Sequence, residues 1–405
     1  MSDDPISVYE RLLETPELFA AIEEEAGPEF AVQQRLRKRF DDAVVRLALT
    51  LRDLRKRGAV KFSRAGQMWF DRTGLEQSTP EAVAQHKAAR FAAAERPVLD
   101  LCSGIGADAI ALAEAGPVLT VDRSPLAGWM TRENARVYGC ADRIEIRTAD
   151  VTAVETSGRL VHIDPDRRPG GGRGAGQRTI RVEEAEPGLD YLNSLIETAR
   201  GGAIKLSPAA NFGGKFPECE VELTSLHGEC KEATIWFGAL RSESLFRATV
   251  LPEGATLAGD PWSARGPLAP LGRYLLDPDP AVVRGGLVDV ACEQLGFSRL
   301  DPEEEYLTSD TLPDSPFVQA FEVLAELSNN DTELRSYFRG SAIGQVEIKC
   351  RHVPVAVEAV RRKLPLPGRE AAVLIYARLQ GRTRAVVARR IPRPGTGGAG
   401  AALPN

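Results

Sequence analysis

Three acidic residues at or near the ends of short apolar runs are the groups best placed for chemistry: Asp100 in Val98-Leu-Asp-Leu-Cys-Ser-Gly-Ile-Gly-Ala-Asp, Asp122 after Val118-Leu-Thr-Val, and Asp150 beyond Ile144-Glu-Ile. The turn through Cys102, Gly104 and Gly106 lets backbone approach a ligand at the carboxyl end of the first run. Asp122 follows Asp100 by 22 residues, a spacing that suits a carboxylate bonded to ribose hydroxyls. A nicotinamide dinucleotide site shares this outline, but it wants three glycines framing a pyrophosphate. Here Cys102 stands in place of the first glycine, and carboxylates rather than bases surround the turn. Asp100 suits a ligand with a positively charged amino group better than one with phosphates. The constellation points to S-adenosyl-L-methionine, with Asp100, Cys102, Gly104, Gly106, Asp122 and Asp150 as cofactor-binding residues. Cys102 has no evident His or Asn partner, so it reads as a small residue beside the cofactor rather than a nucleophile.

The elements that must position these residues are strands and helices in strict alternation between 97 and about 250. Such alternation predicts a Rossmann-like α/β domain over 96–252, with a parallel sheet and helices on both faces. Glu218-Cys-Glu-Val-Glu-Leu and Ala233-Thr-Ile-Trp-Phe are expected to close the sheet. Before it, Leu12, Leu13, Phe19, Ile22 and then Val44, Leu47, Leu51 and Leu54 fall at helical spacings, which predicts a helical domain over 1–95. After it, a Pro- and Gly-rich linker at 252–272 leads to an α+β domain over 273–393. Helices are expected there near 280–296, 316–328 and 354–363, with strands at 345–350 and 371–379. The tail 394–405 has a disordered composition.

Forty-three per cent hydrophobic residues in a chain of 405 exclude disorder throughout, and no run approaches the ~18–20 apolar residues of a membrane span. Met1-Ser-Asp-Asp lacks a basic and apolar leader pattern, so the expected compartment is cytoplasmic. Six scattered cysteines without a CxxC, and four scattered histidines, suggest neither a metal site nor a disulfide framework. Net charge is −6, but the sum hides blocks of opposite sign: residues 277–334 carry fourteen acids and two bases, and residues 335–394 carry fourteen bases and three acids. A basic block offers a face to a polyanion such as RNA. Equally, the two blocks can neutralise each other inside one domain.

Residues 97 to about 240 resemble the class I S-adenosylmethionine-dependent methyltransferases. Trp69-Phe-Asp, Thr79-Pro-Glu-Ala-Val-Ala-Gln-His-Lys-Ala-Ala-Arg and Asn134-Ala-Arg-Val-Tyr-Gly-Cys-Ala-Asp-Arg-Ile look most like the trimethylguanosine synthase branch. With Gly74-Leu-Glu-Gln and Gly344-Gln-Val-Glu-Ile-Lys, the whole chain is similar to bacterial methyltransferases carrying a C-terminal THUMP-like domain. The resemblance implies S-adenosylmethionine as cofactor and, by analogy, RNA as partner. It also puts His162-Ile-Asp-Pro-Asp-Arg-Arg-Pro in the place of the catalytic loop, with Asp164 and Pro165 as catalytic residues. There the sequence departs from the family: Asp166 replaces a second proline, and Arg167 stands where the cap enzymes have tryptophan. An arginine can also stack on a base. Arg167, Arg168, Arg173 and Lys205 are the expected substrate-binding residues, Arg173 belonging to a glycine-rich cationic segment suited to closing over a phosphate-bearing substrate or to serving as a surface linker.

Three functions compete at this level. One is methyl transfer to a base nitrogen of RNA. Another is methyl transfer to an anionic small molecule, and a third is a non-catalytic cofactor- and RNA-binding protein. Binding of the cofactor is common to all three, so only the acceptor discriminates them.

Overall fold

The computed structural model describes residues 4–92, 97–166 and 181–392. Arg167, Arg168, Arg173 and the tail expected to be disordered lie outside them. Met1–Cys219 with Ala233–Ser242 form one compact unit, and Glu220–Glu232 with Glu243–Asn405 a second.

The first unit opens with helices α1 (Pro5–Leu13), α2 (Glu17–Glu24), α3 (Glu29–Leu36), α4 (Asp42–Gly58), α5 (Arg72–Gln77) and α6 (Glu81–Phe91). Their starts are written in the sequence. Asp4 and Asp41 accept bonds from the first free amides of α1 and α4, and Pro5 occupies a first turn where its missing N–H costs little. Then β1 (Val98–Leu101), α7 (Ala107–Ala113), β2 (Val118–Asp122), α8 (Pro125–Tyr138), β3 (Ile144–Thr148), β4 (Leu160–Ile163), α9 (Leu189–Thr198) and β5 (Gly201–Leu206) alternate as expected. Strand β6 (Glu220–Leu226) belongs to the second unit, and β7 (Glu229–Gly238) returns to run antiparallel to β5, from Gly201↔Gly238 to Leu206↔Ala233. The order β3-β2-β1-β4-β5-β7, parallel up to β5, is Rossmann-like. It brings the carboxyl ends of β1, β2 and β4 to one edge.

The core of the helical segment expected as a domain of its own extends into the turn after β1 and into α8, taking in Ile105, Trp129 and Met130. Tyr9, Trp69 and Trp129 of α8 form one aromatic cluster, with ring centroids 5.4 Å (Tyr9–Trp129) and 5.1 Å (Trp69–Trp129) apart. Asn134, fully buried on α8, completes the junction. Its Oδ1 accepts from Trp69 N at 2.7 Å, and its Nδ2 donates to Trp69 O at 3.1 Å and to Ile105 O at 3.0 Å.

In the second unit β6 pairs in parallel with β8 (Phe246–Leu251), which pairs with β9 (Ala255–Gly259), a strand inside the segment expected as linker. A seven-stranded sheet follows. Its chain order is β10 (Tyr274–Pro278), α10 (Pro280–Arg284), α11 (Val288–Leu295), β11 (Ser298–Arg299), β12 (Leu307–Ser309), β13 (Val318–Ser328), α12 (Asp331–Arg339), β14 (Ile343–Cys350), α13 (Val357–Lys363), β15 (Glu370–Leu379) and β16 (Arg382–Arg390). The single helix expected near 280–296 is two, broken at Gly285-Gly286, where Gly286 has φ +70°. The helix expected near 316–328 is strand β13. A shift of register between Val323 and Ala325 disrupts its alternation, which is why the apolar spacing imitates a helix.

The oppositely charged blocks meet inside this unit. Arg351 pairs with Asp277 at 2.8 Å and Glu305 at 3.0 Å, Lys349 with Asp277 at 3.0 Å, Arg384 with Glu326 at 2.7 Å, and Arg378 with Asp301 at 3.3 Å. Arg335 and Arg339 of α12, and Arg361 and Arg362 of α13, carry no ion pair among the described residues, and both helices pack on one hydrophobic cluster against the sheet.

Asn134 generates a stability prediction. Asn134→Ala strips three buried backbone groups of their partners and should cost about 2–4 kcal/mol. Urea unfolding should show a lower midpoint with an unchanged m-value, and a midpoint equal to the parent's would show that the junction holds without it.

Candidate functional site

A cavity of about 380 Å³ lies where β1, β2 and β4 end, with α5 as one wall. The turn after β1 is built from left-handed residues: Cys102 at φ 59°, Gly104 at 56° and Gly106 at 85°. Nothing lies within 4 Å of where a Cβ on Gly104 would project, so its backbone is open to a ligand. At Gly106 a Cβ would come 2.8 Å from Thr131 Cγ2 and 3.2 Å from its Cα, so that glycine serves the packing of the turn on α8.

Asp122 shapes the turn and faces the cavity. Its Oδ2 accepts from Gly104 N at 2.9 Å and its Oδ1 from Ser124 N at 2.8 Å. Burial raises its carboxyl above the usual value, against the pull of those two amides. Asp150 also lines the cavity. It accepts from Thr152 N at 2.9 Å and Thr152 Oγ1 at 2.7 Å, and these bonds hold its carboxyl below the usual value. Burial, then the charges of Asp122 and Asp164, push the Cys102 thiol up, away from the thiolate form.

Beneath the turn runs a buried chain of ionisable groups. Asp100 Oδ1 meets His162 Nδ1 at 2.7 Å, His162 Nε2 meets Lys87 Nζ at 3.3 Å, Lys87 Nζ meets Asp108 Oδ1 at 2.9 Å, and Asp108 Oδ2 accepts from Thr79 Oγ1 at 2.6 Å. Burial pushes the Asp108 carboxyl up, but Lys87, His162, Lys205 and Thr79 together hold it below its usual value. Asp100 goes the other way: burial raises it more than His162 lowers it.

At the end of β4, Asp164 and Pro165 line the cavity. Asp164 Oδ2 is 2.6 Å from Lys205 Nζ, while Oδ1 has no hydrogen-bond partner among the described residues. Gln77 of α5 donates to Asp166 Oδ1 at 3.3 Å, and Arg123 pairs with Glu186 at 2.8 Å across the mouth-lining residues.

The structure therefore brings Cys102, Gly104, Asp122, Asp150, Asp164 and Pro165 into one lining. Gly106 stands behind it. Asp100 is 1% exposed and outside the lining, turned onto His162, with Oδ2 buried and unpartnered among the described residues. Lys205 is buried on Asp164 rather than presented to a substrate. Arg167, Arg168 and Arg173 lie outside the described residues. Sequence reading missed Lys87, Asp108 and the α5 wall. One signal for Lys87 was available: it stands on the buried stripe Val83, Ala84, Ala88, Phe91 of α6.

These residues fit S-adenosylmethionine. The open backbone of Gly104, carboxylates at the strand ends, and apolar Leu126, Met130 and Val151 suit a molecule with an ammonium group, a ribose diol and a flat base. Among the described residues no group of three or more His, Cys, Asp or Glu is arranged to hold a metal ion.

A family model described as RNA cap guanine-N2 methyltransferase matches residues 95–172, and one described as THUMP domain-like matches residues 318–390. A candidate methyltransferase from Porphyromonas gingivalis, solved by crystallography, shares the fold with a TM-score of 0.74 at 18% identity, over 97% of this chain and 100% of that one. Two strains of Mycobacterium tuberculosis carry an S-adenosylmethionine-dependent methyltransferase of uncharacterised activity that is 32% identical over 372 residues, 89% of this chain and 99% of the relative. With a glycine turn and strand-end carboxylates that suit the cofactor, and that identity sustained along both chains, this protein belongs to the S-adenosylmethionine-dependent methyltransferases.

Proposed function

We propose that the chain transfers a methyl group to a base nitrogen of RNA, and that Asp164 holds the acceptor. The observation that carries this reading is the free Oδ1 of Asp164 in the cavity wall beside Pro165, at the end of β4. S-adenosylmethionine, when bound, supplies an electrophilic methyl group. The protein's part is proximity, orientation and exclusion of water. Asp164 Oδ1 accepts one N–H of the target amine and the Pro165 carbonyl another, which aims the nitrogen lone pair into the cavity. The proton released on methylation passes to Asp164 or to water.

RNA is supported by the likeness of residues 95–172 to the cap guanine-N2 methyltransferases and of 318–390 to THUMP domains. The charge of the site favours a base over an anion. Among the described residues, Asp71, Asp108, Asp122, Asp150, Asp164, Asp166 and Glu186 line it against a single lining cation, Arg123. An anionic small molecule would enter against that field, whereas a flipped base is neutral and leaves its phosphates outside. Arg335, Arg339, Arg361 and Arg362 on α12 and α13, which carry no ion pair among the described residues, offer their charge to a phosphate backbone.

The deciding experiment offers labelled S-adenosylmethionine with total bacterial RNA and, separately, with a small-metabolite extract. Label in RNA is expected; label in the metabolites alone would overturn the reading. Asp164→Ala should lower kcat by about 100-fold while S-adenosylmethionine Kd stays within about twofold, because the lost bond is made to the acceptor. Asp122→Ala should act oppositely on affinity, weakening cofactor binding by about 1–3 kcal/mol in calorimetry. Reversal of Arg335, Arg339, Arg361 and Arg362 to glutamate should weaken RNA binding and flatten its salt dependence, by about 0.7 log units of affinity per log unit of salt for each phosphate of a single strand that the variant no longer neutralises. An unchanged slope would place the RNA elsewhere.

A further inference from the structure

Lys205 ends β5, and the parallel register that pairs Ile163 with Ile204 sets it beside Asp164. Its side chain is 9% exposed, a position where methionine would fill the space without the cost of burying an ammonium. The ammonium makes two hydrogen bonds. It donates to Asp164 Oδ2 at 2.6 Å and to Gln77 O, the last carbonyl of α5, at 3.2 Å. Lys61 also holds that end of α5, donating to Leu75 O at 2.7 Å and Ser78 O at 2.8 Å. Lys205 joins that end of α5 to Asp164.

We propose that Lys205 is a positioning residue for methyl transfer. It occupies one oxygen of Asp164, so that the other is the one left for the acceptor, and it ties the carboxylate to the α5 wall of the cavity. A carboxylate held at one oxygen has one remaining direction in which to accept an N–H, and that direction decides whether the nitrogen lone pair meets the methyl group. The inference rests on the reading of Asp164 as the group that holds the acceptor.

A double-mutant cycle tests it, with K205M, K205R, D164N and D164N/K205M assayed on total bacterial RNA and S-adenosylmethionine affinity measured by calorimetry. K205M should lower kcat by about 10- to 100-fold, the scale of a small misplacement, with cofactor Kd within about twofold. K205R, which still donates, should recover most of the loss. The double variant should be no slower than D164N alone, since Lys205 acts through Asp164. Parent-like turnover in K205M, or losses that add in the double variant, would overturn the proposal. Should D164N itself run at the parent rate, the reading of Asp164 falls first and this proposal with it; impaired D164N beside unimpaired K205M sinks Lys205 alone. Amide exchange over residues 72–78 reads the tie to α5 without substrate: faster exchange in K205M is expected, and parent-like protection overturns the tie. If K205M loses cofactor binding altogether, K205A, which removes the donor and relieves any crowding, takes its place in the same cycle with the same expected outcomes.

Discussion

The cavity stands on a buried ionic chain, Asp100–His162–Lys87–Asp108–Thr79. Its members come from β1, β4, α6, α7 and Thr79 in the turn leading into α6, so four elements and a turn are held by groups that could not remain charged there alone. Taking a lysine and two carboxylates out of water is expensive, and it is compensated only when partners and geometry are good. An apolar set of equal volume would pack as well. What the ionic chain adds is direction: each contact has one geometry, and together they fix how the glycine turn sits over the end of β4.

The same logic governs the wall that closes the cavity. Helix α5 has six residues and could not persist by propensity alone. It is held because Asp71 caps its start, Lys61 and Lys205 meet its final carbonyls, and Gly74 allows Ile105 of the glycine turn to come close. Asn134 then fastens Trp69 and Ile105 to α8 from behind. The N-terminal helices thus belong to the same compact unit as the Rossmann-like sheet, and one of them, α5, supplies a cavity wall that the sheet does not.

In the second unit, charge serves the fold as much as any partner. The pairing of Lys349, Arg351, Arg378 and Arg384 with acids of the preceding block consumes much of a basic excess that along the chain looks like a polyanion surface. Arg335, Arg339, Arg361 and Arg362 on α12 and α13 stay without an ion pair among the described residues, as do Arg369 before β15 and Arg382 at the start of β16. The basic surface left unpaired is therefore narrower than the linear charge count implies.

The turn Cys102–Gly106 and the strand-end residues Asp122, Asp150 and Asp164 were legible in the sequence because a parallel sheet places every carboxyl end on one edge, whatever the details of packing. Helix starts were legible for the same local reason, a side chain meeting an amide two or three residues on. Local spacing was silent about Lys87 and Asp108 and about the partners of His162 and Lys205, because those partners are remote along the chain: 29 residues separate Asp108 from Thr79, 41 separate Lys205 from Asp164, and 75 separate Lys87 from His162. It misled at β13, where a register shift gave a strand helical spacing, and at Asp100, which the type of residue aimed at a ligand and the fold turned onto His162. Periodicity and capping are properties of neighbours in sequence. Which carboxylate keeps a free oxygen for a substrate is decided by what else is buried beside it, and only the tertiary structure brings those groups within 3 Å.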